Sequence, residues 1–399
     1  MADSLTASYA CQICGLQGLD LLRAFGALPR VTSDCKPWPA GGALAVCRHC
    51  GGIQKLPDPQ WQDEIRRIYA NYEIYHLSDG AEQVVFTTAS GEASPRSQIL
   101  VDFVARTAAL PAKGRLIDIG CGNGAALAGF SKRLPQWELY GNELSDRALG
   151  ELRKIPNFVT LYATGDLQAI PGRYDLVSMI HSLEHMPSPL STLTRAAALL
   201  EEQGSLFIEV PDIQTSPFDL LVADHLCHFS LEALRYLASR AGLSAVAAST
   251  SVLGKEITYL GRRDTAALPS PDPEKGLQLA RSTLSWLQSV IDRGRALSGQ
   301  GKFGIFGTSI SGMWLYGALG GRADFFVDED RSRIGRHYDG KPILSPQDAP
   351  AGATVYVPLT PAVSSKVVSR MAGFAARFLP PPEWPRDPPS AGRQDSRSH

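Results

Sequence analysis

The sequence predicts an α/β protein, a doubly wound core with a small cysteine-bearing module ahead of it and a second α/β unit behind it. Three observations carry this. The apolar run Leu116-Ile117-Asp118-Ile119 breaks into Gly120-Cys121-Gly122-Asn123-Gly124, after which helical spacing resumes. From Gly114 to about Gly261, strand-like and helix-like stretches alternate. Two Cys-x-x-Cys pairs, Cys11/Cys14 and Cys47/Cys50, stand ahead of all this.

A chain of 399 residues is long for one core and implies two or three domains. A formal net charge of −1 gives no chain-wide attraction to nucleic acid or to an anionic membrane, so neither is expected as a partner. Residues 1–10 lack the basic start and apolar centre of a signal peptide, and no later run approaches about 20 apolar residues. The expectation is a cytoplasmic protein. In a reducing compartment seven cysteines favour metal ligation over disulfides.

Taken in order, the cysteine pairs come first. Cys11-Gln12-Ile13-Cys14 and Cys47-Arg48-His49-Cys50 are each followed by glycine, a turn that aims two thiolates at one point. Four thiolates make a tetrahedral zinc site, and with four protein ligands that site is structural. The segment between the pairs is long, so 29–42, with its prolines and glycines, must fold back. Cys35 and His49 are substitute ligands outside the paired pattern. Trp61 to Tyr75 then carries aromatic and aliphatic residues at helical intervals, read mainly as packing, and its aromatic end at 70–76 has a polar character suited to covering a polar substrate.

The glycine turn is suited to a nucleoside, and its spacing decides which. Dinucleotide sites prefer G-x-G-x-x-G, whereas here glycines alternate and Asp118 precedes the first. Trp137 to Glu143 reads as the next strand, and Glu143 lies 23 positions after Gly120, near the spacing of an acid that binds a ribose diol. A third strand region ends at Gly165-Asp166, and Tyr174 to Ile180 is the fourth strand. The acid-x-G-x-G-x-G turn resembles motif I of the class I S-adenosylmethionine (SAM) methyltransferases. That resemblance implies a SAM site formed by Asp118, Gly120, Gly122 and Gly124, with Glu143 on the ribose and Asp166 near the adenine amino group.

Ligands of such sheets sit beyond the carboxyl ends of the strands. Two segments bring chemistry there: His181-Ser182-Leu183-Glu184-His185 after the fourth strand, for which fold maintenance and catalysis are both open, and Ala223-Asp224-His225-Leu226-Cys227-His228-Phe229-Ser230 after the strand 205–210. Cysteine turns, SAM core and acid-His-x-x-aromatic-Phe-Ser, in this order, resemble the sugar C-methyltransferases of deoxysugar biosynthesis. The resemblance spans roughly 11–368. It implies methyl transfer to a carbon beside a ketone on a nucleotide-linked keto-deoxysugar, with His225 as general base, Asp224 orienting it and His228 offering a donor to the oxygen. Imidazole suits the task because it titrates near neutral pH. The sequence departs from the family pattern at Val222, Ala223 and His228, where the family carries tyrosine, aspartate and tyrosine.

After a proline-rich connection at 268–273, Glu274 to Leu297 reads as a long helix. Lys302 to Gly307 and Thr308-Ser309-Ile310-Ser311-Gly312 form a strand, small-residue turn and helix, followed by Ala323 to Val327, again a Rossmann-like half. By the resemblance it helps to hold the nucleotide of the substrate, with Arg331, Arg333 and Arg336 available to a diphosphate. The predicted organisation is a zinc-binding module over 1–57, a helical connector over 58–113, the class I methyltransferase core over 114–265, a linker and long helix over 266–300, a Rossmann-like substrate-binding domain over 301–376 and a disordered tail over 377–399. Two further functions stand beside the first: an O- or N-methyltransferase of another small molecule, and a catalytically silent SAM- or nucleotide-sugar-binding protein.

Overall fold

In the computed structural model, residues 8–72, 84–86, 93–264 and 270–384 are described. The centre is a seven-stranded sheet of β1 (Arg115–Ile119), β2 (Glu138–Glu143), β3 (Phe158–Ala163), β4 (Tyr174–Ile180), β5 (Leu200–Pro211), β6 (Leu243–Ser249) and β7 (Glu256–Arg263), in the spatial order β3-β2-β1-β4-β5-β7-β6. The first five strands run parallel and β7 is antiparallel to both of its neighbours. Strand order reverses at β1, which opens a crevice beyond its carboxyl end. β1 and β4 read as nearly continuous apolar runs because helices cover both faces. On one face Arg96–Thr107 packs on Ala125–Arg133, and on the other Pro189–Ala198 packs on Leu231–Arg240. Ser230 caps the last of these helices, its side chain accepting from Ala233 N at 3.2 Å.

Ahead of the core, strands Leu19–Leu21, Leu44–Cys47 and Ile53–Lys55 make a small antiparallel sheet. Its fourth strand is Cys227–His228, from the loop after β5, which pairs antiparallel with Ile53–Gln54. The amino-terminal module is thus continuous with the loop that carries the histidines. The segment 29–42 does fold back, as the hairpin of Arg30–Val31 with Pro37–Trp38. It is held by a buried two-pronged ion pair in which Arg30 donates to both oxygens of Glu64 at 2.7 and 2.8 Å. Glu64 lies on the helix Pro59–Ala70, N-capped by Asp58.

The helix Pro273–Ser298 leads into a six-stranded sheet over Phe303–Leu379, whose strands are parallel apart from the short hairpin of His337–Tyr338 with Lys341–Leu344. The glycine after the second cysteine pair seats this helix: a Cβ on Gly51 would stand 2.7 Å from Asp272 O. Residues 377–384 are structured where a disordered tail is expected. Arg377–Leu379 is a strand beside Thr354–Tyr356, and Trp384 packs on Trp286 with ring centroids 4.9 Å apart. Proline content masked one alternating triplet and one aromatic anchor. The rest of the expected tail, residues 385–399, lies outside the described residues, as do Leu268 and Pro269 of the proline-rich connection and 73–76 of the aromatic segment. Among the described residues no helix is long and apolar enough to cross a membrane.

Candidate active site

The glycine turn sits where β1 ends. Gly120 and Gly124 have φ of +76° and +86°, a left-handed backbone in which a side chain is strained. A Cβ on Gly120 would stand 2.5 Å from Ser182 Cβ, and one on Gly124 the same distance from Leu152 Cδ2. The protein's own packing therefore requires these two glycines, beyond any need to admit a ligand. Glu143, at the end of β2, accepts from Gly122 N at 3.0 Å and Leu144 N at 2.9 Å. A carboxylate has about four acceptor positions, so it fixes the turn and keeps capacity for a diol. Asp166 is exposed beyond β3, its carboxylate accepting from Gln168 N. Asp118 is buried under the turn and accepts from Ser178 Oγ at 2.7 Å, and burial pushes its carboxyl up to about 7.

The segment after β4 joins this turn to the histidine loop. Ser182 Oγ donates to Ile119 O at 2.7 Å. Three residues on, the His185 ring meets that of His225 edge-on, with centroids 4.5 Å apart. His185 Nδ1 lies 3.2 Å from Tyr69 Oη and 3.1 Å from Asp224 O. Burial and the neighbouring His225 hold His185 below the ordinary histidine range.

His225 is oriented by a residue that sequence reasoning missed. Asp219, from the short turn of helix Pro217–Leu221, places Oδ1 2.6 Å from His225 Nδ1 and Oδ2 2.6 Å from His228 Nδ1. Burial alone would lower the His225 pKa, yet the Asp219 carboxylate, with Glu184 and Asp224 behind it, raises it above the ordinary value. The two histidines hold Asp219 well below the usual carboxylate range against its burial. With Nδ1 engaged, His225 Nε2 is the ring nitrogen left without a hydrogen-bond partner among the described residues.

Two expected roles are corrected. Asp224 does not orient His225: its carboxylate accepts from Ser33 N at 2.9 Å and from Ser33 Oγ, and it faces His185 Nδ1 at 3.4 Å. His228 is no donor to a substrate oxygen. It is 1% exposed, with Nδ1 on Asp219 and Nε2 3.2 Å from Lys55 Nζ. Burial and Lys55 push it down to about 4, so the neutral ring donates to Asp219 and accepts from Lys55. Lys55 also donates to Val222 O at 2.6 Å and His225 O at 2.7 Å, and burial pushes its amine down to about 7. Asp219 had one legible signal, an acid six and nine positions before the two histidines, while Lys55, Ser33 and Tyr69 had none. Of the aromatic segment, Tyr69 and Tyr72 do reach polar groups, the latter through Ser33 Oγ at 3.2 Å.

The four paired cysteines converge. Cys11 Sγ lies 3.6 Å from Cys50 Sγ, Cys14 Sγ lies 3.5 Å from Cys47 Sγ, and all four sulfurs fall within 4.8 Å of one another. Thiolates about 2.3 Å from a tetrahedral zinc stand roughly 3.8 Å apart, so the donor set fits that ion. Cys35 and His49 stand outside the group. In the carboxy-terminal unit, Arg333 pairs with Asp328 and Asp330, and Arg336 Nε donates to Ser332 O, so both make internal contacts.

A reversed-order parallel sheet with a glycine turn after β1 and an acid after β2 is the α/β arrangement that places a ligand crevice beyond the carboxyl ends of the strands. The comparison with known families is more specific, since the family described as a methyltransferase domain matches residues 93–248. Residues 93–248 are therefore similar to a methyltransferase domain. The ubiquinone biosynthesis O-methyltransferase of Xanthomonas campestris pv. campestris (strain B100) is 30% identical over 129 residues, 31% of this chain and 54% of its own. That of Burkholderia vietnamiensis (strain G4 / LMG 22486) is 34% identical over 103 residues, 23% of this chain and 42% of its own. The chain spans about half the length of the curated relatives it matches. Among solved structures, that of the mitomycin 7-O-methyltransferase MmcR is 20% identical, covers 42% of this chain and 54% of its own, and has a TM-score of 0.36.

Proposed function

We propose that this chain is a SAM-dependent C-methyltransferase acting on the carbon beside a ketone of a nucleotide-linked keto-deoxysugar, with His225 as general base. The observation that carries the reading is the Asp219–His225 pair, whose imidazole meets His185 edge-on on the segment that touches the glycine turn. An unactivated C–H has no lone pair to offer a methyl group, so a base must first take its proton. In this scheme the proton passes to His225 Nε2 and the C–H electron pair becomes the enolate. Asp219 holds the imidazole in the tautomer with its lone pair on Nε2 and stabilises the imidazolium that forms. SAM supplies an electrophilic methyl group on a sulfonium, the new C–C bond forms as the S–CH₃ bond breaks, and S-adenosylhomocysteine leaves. His225 then returns its proton to water. Gly120, Gly122, Gly124 and Glu143 hold the cofactor, with Asp118 beneath the turn and Asp166 at its adenine end. Zinc on Cys11, Cys14, Cys47 and Cys50 is structural, and the carboxy-terminal unit holds the nucleotide.

O-methyl transfer is the second reading, favoured by the names of the relatives in strains B100 and G4, both O-methyltransferases. The same base serves a hydroxyl. The deciding experiment incubates the protein with methyl-labelled SAM and a panel of nucleotide-linked keto sugars, then locates the label by mass spectrometry and NMR. Label on carbon supports the first reading, label on oxygen or nitrogen the second, and no transfer with intact SAM binding makes the protein a silent binder.

A further inference from the structure

Beside the histidine loop, on the same edge of the sheet, lies a second polar cluster that the methyl-transfer scheme does not use. It is made by His181 after β4, Glu209 near the end of β5 and Glu256 at the start of β7, with Glu184 behind them. Glu184 and Glu209 are 1% and 0% exposed. One oxygen of each carboxylate is engaged. Arg96 donates to Glu209 Oε1 at 2.7 Å and stands 3.4 Å from Glu256 Oε1, while His181 Nδ1 lies 3.1 Å from Glu184 Oε1.

The other atoms are the informative ones. Glu209 Oε2, Glu256 Oε2, Glu184 Oε2 and His181 Nε2 are all buried and have no hydrogen-bond partner. Buried polar atoms are nearly always satisfied, and buried carboxylates are paired or bind a metal. Glu209 and Glu256 share the Arg96 guanidinium, and Glu184 meets His181 Nδ1. The orphaned atoms also converge, because one ligand atom each from His181, Glu209 and Glu256 lies within 4.8 Å of the others, and His181 Nε2 is 3.4 Å from Glu256 Oε2.

From this geometry we infer that His181, Glu209 and Glu256 form a divalent-cation site of one imidazole nitrogen and two carboxylate oxygens. The outer contacts have the arrangement metal ligands require. A carboxylate on Nδ1 fixes the tautomer that leaves the Nε2 lone pair free, and a guanidinium on both Oε1 atoms turns both Oε2 atoms inward. A mixed nitrogen and oxygen set suits Mn²⁺ and its first-row neighbours rather than a soft ion. Three protein ligands leave positions open to water or to an oxygen of a bound molecule. The Glu184 carboxylate that steadies His181 also lies within 4.8 Å of ring nitrogens of His185 and His225, which puts the cation next to the reacting end of the cleft. Arg96 is an outer partner of the site, and the cysteine cluster is separate from it.

The site is tested by metal binding alone, whatever reaction the protein catalyses. The full-length protein, with its cysteine site loaded, is titrated with MnCl₂ by calorimetry, and the bound ion is examined by pulsed electron paramagnetic resonance. The expected result is one saturable Mn²⁺ per chain with coupling to one imidazole nitrogen. Glu256→Gln and His181→Gln should each raise Kd about tenfold or more, with the nitrogen coupling lost in the second, whereas His337→Gln on the exposed surface leaves both unchanged. Glutamine keeps the shape of glutamate and a polar end in place of the imidazole, and circular dichroism verifies folding of both variants. No saturable binding at millimolar Mn²⁺, binding without nitrogen coupling, or equal affinity in the parent and both variants overturns the inference.

Discussion

Asp219 lies 2.6 Å from His225 Nδ1 through one carboxylate oxygen, while its other oxygen holds His228 at the same distance. A single acid thus fixes the proposed base and ties it to a buried histidine that Lys55 reaches from another part of the chain.

Asp219→Asn tests that arrangement. The amide can donate to Nδ1 and so favour the tautomer whose Nε2 carries the proton, which is the wrong state for a base. Methyl transfer should fall by about 10²–10⁴-fold, the usual span for a positioned base, while SAM affinity stays within about threefold of the parent. Turnover in the variant equal to the parent, with chemistry rate-limiting, would remove Asp219 and His225 from the mechanism together.

The pH profile follows from the direction of the His225 shift. The base must be neutral to accept a proton, and Asp219 raises its pKa against the effect of burial. The rate should therefore rise with pH through a limb centred above about 6.5, the ordinary histidine value. In Asp219→Asn the raising charge is gone and burial remains, so the limb of any residual activity should move to lower pH. A parent limb below the ordinary value would contradict the placement of His225 as base.

Glu143 gives a prediction that leaves the chemistry aside. Its carboxylate accepts from Gly122 N and Leu144 N at the carboxyl end of β2. Glu143→Ala should weaken SAM binding by roughly 1.5–3 kcal/mol, about tenfold or more, by calorimetry. Unchanged affinity would exclude the diol contact.

The parts of this architecture that were legible in the sequence are local. The glycine turn, the run of Tyr174 to Ile180 and the acid ending β2 each lie within one contiguous stretch, where periodicity and spacing report on structure directly. The contacts that set the site are of another kind. Ser33 meets Asp224 across 191 positions and Lys55 meets His225 across 170, and no local pattern encodes a pairing of that range. The resemblance implies Asp224 as the partner of the base, whereas its carboxylate is held by Ser33 from the amino-terminal module. The short strand Cys227–His228 turns its neighbours toward the amino-terminal sheet, and Asp219 takes the place on the ring. His228 stands where the resembling family carries a phenol, but burial and the Lys55 contact give it a supporting place.

Lys55 should matter for stability as much as for activity. It is fully buried, donates to two carbonyls and meets His228 Nε2. Lys55→Met keeps the volume and leaves those acceptors unpaired, which should cost about 2–4 kcal/mol in urea unfolding. A loss below about 0.5 kcal/mol would mean that water replaces the amine and that the residue does not brace the loop.

The cysteine cluster and the histidine loop should fail together, because they are parts of one sheet. Cys47 ends the strand that pairs with Ile53–Lys55, and the far side of that strand pairs with Cys227–His228. If zinc holds Cys11, Cys14, Cys47 and Cys50, removing it withdraws the folding free energy of the module, since structural zinc sites are not preformed in the unfolded chain. Four thiolates would fill the coordination shell, so such a metal would take no part in turnover. Cys47→Ser or prolonged chelation should therefore release zinc, lower the melting temperature and abolish methyl transfer in parallel. SAM should still bind wherever the core stays folded, because the turn at Gly120 rests on β1 and Ser182 and not on the module. Metal analysis, thermal melts and SAM calorimetry on the same samples separate these effects. Purified protein without zinc, or a Cys47→Ser variant with parental metal content and melting, would show that the four thiols are buried side chains and nothing more.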